Sequence, residues 1–144
     1  VQVVITVLSI EHYDPDILGV IAASLALGIS DIPWDGPVSG IRLGKKKGQE
    51  GYMINPGFEF MTTPDFEMEM VVCGKDDENI NMIEVGANEI SEEEAHGAMK
   101  FAAEELQKIN KFQESVIKEI GKQKVKVENT ISDLNSSDFD SLSG

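Results

Sequence analysis

Cysteine and arginine are almost missing from this chain: Cys73 and Arg42 are the only ones in 144 residues. One thiol excludes an intramolecular disulfide and a cysteine-based metal cluster. Cys73 lies in the apolar run MVVCG, which predicts a small buried hydrophobe and not a reactive thiol. The shortage of arginine accompanies a formal net charge of −14. Proteins that grip a phosphate backbone present a patch rich in Lys and Arg, so this composition opposes RNA binding by the chain itself. Long hydrophobic runs are also lacking. The nearest, residues 17–29, falls short of the roughly 18 apolar residues of a membrane span and is rich in Gly, Ala and Ser. The chain starts at Val1 without the basic start and small-residue cleavage site of a signal peptide.

What is present suits a globular domain. A hydrophobic fraction of 41% over this length supports one compact domain with a modest core. Residues 2–9 are apolar and β-branched, which predicts a strand covered on both faces. Asp14-Pro15-Asp16 opens a helix: Asp14 caps free N–H groups, Pro15 fits the first helical position, and Asp16 complements the positive dipole end. That helix runs to about Ile29, is apolar almost all round, and reads as buried.

Residues 41–43 and 52–54 flank KKKGQEG as a hairpin with a charged tip. FEMEM alternates strictly, giving a strand with one apolar and one acidic face, and a turn then leads into a strand over 80–85. Ser91-Glu92-Glu93-Glu94 is a capping box. It starts a long helix whose stripe includes Ala95, Ala98, Ala102, Leu106, Ile109, Phe112, Val116 and Ile120, with Gly121 as the stop. Lys108, Lys111, Lys118 and Lys122 lie towards its end, where the dipole favours cations. From Val125 the pattern fades into a polar, Ser- and Asp-rich linker.

Candidate chemistry is sparse. His12, Asp14 and Asp16 form the one cluster suggestive of acid–base or metal work, but a loop His followed by a helix cap explains it. The Glu92-Glu93-Glu94 run is explained by the capping box in the same way. Glu67 and Glu69 share a strand face and read as a solvated outer surface, with a substrate-flanking pair as the alternative. His96 has no nearby Cys or His partner and is given no role. Lys45, Lys46 and Lys47 make the sole basic cluster and read as a solvated turn, with RNA contact as the alternative. No Walker loop, dinucleotide fingerprint, Ser-His-Asp order or zinc spacing occurs.

Four segments carry a resemblance: VQVVITVLS, PDILGVIAASLALGISDIPWDGPVSGIRLG, YMINP and MIEVGANEISEEE. Together they resemble the first ribonuclease-PH-type domain of the polynucleotide phosphorylase family, over residues 1–124. The resemblance implies an α+β, ribonuclease-PH-like fold: a mixed sheet of five or six strands, packed by a buried helix and a long C-terminal helix. It implies that the chain is a piece of a longer enzyme whose upstream half is missing. The strand over 2–9 would then belong to a sheet built largely by that half. Residues 125–144 would be a linker or the start of a helical linker domain.

The family shortens RNA from its 3′ end by phosphorolysis, and its second ribonuclease-PH-type domain is the active one. That copy binds phosphate through a serine run before the buried helix and uses aspartates with a divalent metal. Here Asp14-Pro15-Asp16 fills the serine-run position. Glu67 and Glu69 stand where the active copy has aspartates, Val71 replaces its lysine, and Met61 falls near its first catalytic aspartate. The resemblance therefore implies an inactive copy, with no catalytic, phosphate-binding or metal residue in this segment and no cofactor of its own. An active nuclease using Glu67, Glu69 and Asp16 is one alternative, and an acidic protein-interaction module is another.

For the parent, the resemblance implies magnesium or manganese, RNA and phosphate as partners, and a homotrimer. It also implies no DNA and no membrane partner, and a bacterial cytoplasmic or organellar matrix location. The family's aromatic-and-arginine RNA loop and its small RNA-binding modules lie outside this stretch.

Overall fold

The computed structural model describes residues 1–75 and 79–127. Helix α1 (Pro15–Ile29) comes first, then β1 (Ser39–Lys46), the short β2 (Met53–Ile54) and a 3-10 turn (Phe58–Thr62). β3 (Phe66–Gly74), β4 (Ile80–Ala87) and helix α2 (Glu92–Ile120) follow. The strands form one sheet in the order β2-β1-β3-β4, with every neighbouring pair antiparallel. The α+β class holds, but the sheet has four strands among the described residues, and none pairs in parallel.

The helices lie on opposite faces of the sheet. Leu43 is paired with Met70 and Ile41 with Val72, and these side chains join Met68, Ala98, Ala102 and Leu106 in the main core against α2. Side chains alternate across a strand, so Val71 and Cys73 point the other way and meet Ile17, Val20 and Ile21 of α1. Both helix starts behave as the sequence predicts. Asp14 accepts from the Asp16 N–H at 3.1 Å, and Ser91 Oγ accepts from the Glu94 N–H at 3.1 Å. Gly121 closes α2 by donating its N–H to the Ile117 carbonyl.

Three expectations change. Residues 2–9 form no strand: no strand among the described residues lies beside them to share a ladder, and Val3, Ile5 and Val7 instead line a groove over α1. Gly19 permits a close approach there, since a Cβ would sit 3.3 Å from Ile5 Cδ1. Helix α1 is covered on one face and open on the other, where Leu18 is 67% exposed. Finally, β1 extends through Lys45 and Lys46, so these are strand residues; the turn lies beyond them, with Gly48 and Gly51 at positive φ. The linker assigned to 125–144 lies outside the described residues after 127.

Helix α2 departs from the apolar stripe in its second half. Residues turn by about 100° each along a helix. The Leu106 face therefore continues through Asn110, Gln113 and Ile117, while Phe112 rotates away and is 59% exposed. Asn110 and Gln113 are buried and form a polar network with Ser39. Ser39 Oγ donates to Asn110 Oδ1 at 2.5 Å, and Asn110 Nδ2 donates to the carbonyls of Gly74 at 3.1 Å and Lys75 at 2.7 Å. Gln113 Nε2 donates to the Val38 carbonyl at 3.1 Å and to Ser39 Oγ at 2.7 Å.

Candidate functional site: an arginine among carboxylates

The start of α1 faces the β1–β3 pair, and there the chain's one arginine collects three carboxylates. Asn55, in the left-handed region at φ 47, fixes the Arg42 backbone. Its N–H donates to the Arg42 carbonyl at 2.7 Å, and its Oδ1 accepts from the Arg42 N–H at 3.0 Å. The Arg42 side chain, 13% exposed, crosses to Asp14 at 3.3 Å and pairs with Asp16 and Glu69. Asp16 serves twice, since its Oδ1 also accepts from the Ile17 N–H.

A cavity of about 390 Å³ opens beside this cluster, lined by Asp16, Arg42, Met61, Glu69, Val71 and Glu84 among others. The structure thus brings together Asp16, Glu69, Met61 and Val71, four positions singled out in the sequence. Glu67 is not among them. It faces Lys45, 3.6 Å from its carboxylate, and Lys45 also pairs with Glu94 at the start of α2. Glu67 and Glu69 are therefore paired, not a solvated outer face. Lys46 lies 3.3 Å from Asp65, so two of the three clustered lysines are engaged by acids. His12 contributes its carbonyl, which accepts from the Phe58 N–H at 3.1 Å.

Arg42 is the residue that sequence reasoning missed. A guanidinium presents five donors in a rigid fork suited to carboxylates, so a lone arginine amid 26 acidic residues was the available signal. The arrangement binds its own charges. Asp14 and Asp16 occupy the N–H groups that a helix start would offer an anion, and Arg42 already holds the carboxylates that would ligate a cation. These residues do not fit a divalent metal. Among the described residues no group of three or more His, Cys, Asp or Glu is placed to hold a metal ion, and no helix is long and apolar enough to cross a membrane.

Cys73 sits behind this cluster at 5% exposure. Burial first, then the charge of Asp16, pushes its thiol pKa above the ordinary 9.0. Two results are expected. Iodoacetamide alkylates the native chain only as fast as it unfolds, while urea-unfolded chain reacts at the free-thiol rate. The unfolded thiol loses its proton before the folded one, so Cys73 contributes stability below pH 9.0 that declines as pH rises above it. Urea midpoints of the wild type and Cys73→Ser at pH 7 and pH 10 check this: the alkaline decline is shallower in the variant.

No protein-family profile matches the chain. Among curated proteins it is similar to the polyribonucleotide nucleotidyltransferase of Heliobacterium modesticaldum, 43% identical over 128 residues, covering 88% of this chain and 17% of that protein. The protein of the same name from Treponema denticola is 45% identical over 126 residues, with 87% and 17% covered. That of Sulfurihydrogenibium azorense is 40% identical over 117 residues, with 81% and 16% covered. The chain spans only 16–17% of the length of these relatives. Identity at this level across most of its length, on an α+β fold of the expected kind, makes the chain a segment of the polynucleotide phosphorylase family.

Proposed function

We propose that this segment is a non-catalytic scaffold within a polynucleotide phosphorylase, an enzyme that shortens RNA from its 3′ end with phosphate and releases nucleoside diphosphates. The reading rests on the start of α1. Anion binding there needs free N–H groups and unbalanced positive charge. Here the Asp16 and Ile17 N–H groups are taken by carboxylates, and Arg42 is matched by Asp14, Asp16 and Glu69. With Glu84 also on the cavity, the local balance is negative, which repels phosphate and RNA alike.

Phosphate, RNA and the divalent metal are then handled by other parts of the parent. This piece supports a homotrimer and its RNA channel, in a bacterial cytoplasm or an organellar matrix. The test is phosphate-dependent release of nucleoside diphosphates from polyadenylate, comparing this chain with its full-length parent. Activity is expected in the parent and not in the chain. Release by the chain alone would overturn the reading and make Glu67, Glu69 and Asp16 the first residues to substitute.

A further inference from the structure

Beyond the end of α2 the chain doubles back along the C-terminus of α1. The Lys122 N–H donates to the Ile29 carbonyl at 3.0 Å, and the Val125 N–H donates to the Asp31 carbonyl at 2.8 Å. Between them Lys124 reaches inward. Its ammonium donates to the carbonyls of Leu27 at 2.8 Å, Gly28 at 2.9 Å and Ser30 at 2.8 Å. Helix termini leave carbonyls without partners and carry partial negative charge, and an ammonium has three protons to give. The last turn of α1 has no basic residue of its own, so this strap supplies the cation from 94 to 97 positions away.

The other end of α1 is held by Arg42 through Asp14 and Asp16. Between the two ends, Ile17, Val20 and Ile21 pack on Val71 and Cys73 and Ser24 Oγ accepts from the Val38 N–H at 3.0 Å, while the helix is open at Leu18. A helix of 15 residues is near the length at which isolated helices are marginal in water. Helix formation is cooperative, so releasing one end of a helix of this length destabilises the turns that remain.

We propose that the strap of residues 122–125 and α1 form one cooperative unit, in which Lys124 governs the Asp14, Asp16 and Arg42 contacts at the opposite end of the helix. The separation is about 22 Å, from the rise per residue. The polypeptide that follows α2 is thereby mechanically tied to the arginine cluster. Any change that removes the Lys124 charge, acylation of its amine included, loosens that cluster at a distance.

Hydrogen exchange on the intact chain tests this, comparing wild type with Lys124→Met, Lys124→Arg and Lys122→Pro. Lys124→Met is expected to raise exchange at amides 19–29 together, by about tenfold to a hundredfold, as for loss of charge-assisted hydrogen bonds. Amides of β1 and β3 stay protected. Lys124→Arg restores most of the protection, and Lys122→Pro, which removes one strap hydrogen bond, gives the same pattern more weakly. Faster exchange confined to amides 27–31 would make Lys124 a local cap and overturn the proposal. So would an equal rise in β1 and β3, which would mean global unfolding, or no rise at all.

Discussion

Arg42→Met lowers the free energy of unfolding by about 2 kcal/mol, read from urea denaturation at neutral pH; removing one partner of a partly buried ion pair leaves the other charge uncompensated. The variant keeps the length of the side chain but strands Glu69, which is 14% exposed, together with Asp14 and Asp16. Asp16 is 45% exposed and water screens much of its loss, so the effect comes chiefly from Glu69. Glu69→Gln leaves the guanidinium two carboxylates and costs less, about 1 kcal/mol. In a double-mutant cycle the two substitutions are strongly non-additive. A cost below that of Glu69→Gln would show the cluster to be a solvated surface network.

Leu106→Ala costs about 3 kcal/mol, whereas Phe112→Ala costs about 0.5 kcal/mol or less, because large-to-small changes are expensive only where a cavity is left. Leu106 is fully buried between α2 and the sheet, among Met70, Val72 and Ala102. Phe112 lies six positions further along the same helix, rotated by about 120°. Similar costs for the two variants would mean that Phe112 is covered in solution. Urea unfolding of both variants under one condition decides it.

Those two residues also show where the sequence was legible. The Asp14 and Ser91 caps and the Gly121 stop depend on partners within a few positions, so local chemistry reveals them. Leu106 and Phe112 look alike in the sequence because both fit an apolar stripe, yet two successive steps of three positions carry Phe112 about 120° off the Leu106 face. The polar residues that take over that face, Asn110 and Gln113, have partners 71 to 75 positions away at Val38 and Ser39. Arg42 is 26 and 28 positions from Asp16 and Asp14, so its role appears only when the sheet and α1 meet. The run over 2–9 has strand chemistry but no neighbouring strand among the described residues, and pairing needs a partner as well as a propensity.

The Ser39, Asn110 and Gln113 network has a consequence for uniqueness more than for strength. An all-leucine contact would let α2 slide or rotate on the sheet at little cost, since apolar surfaces are non-directional. Here a slip of one turn would deprive the Gly74 and Lys75 carbonyls of the Asn110 amide in a dry environment. Three polar side chains thus act as an index mark, selecting one seating of the long helix from several that hydrophobicity alone would accept.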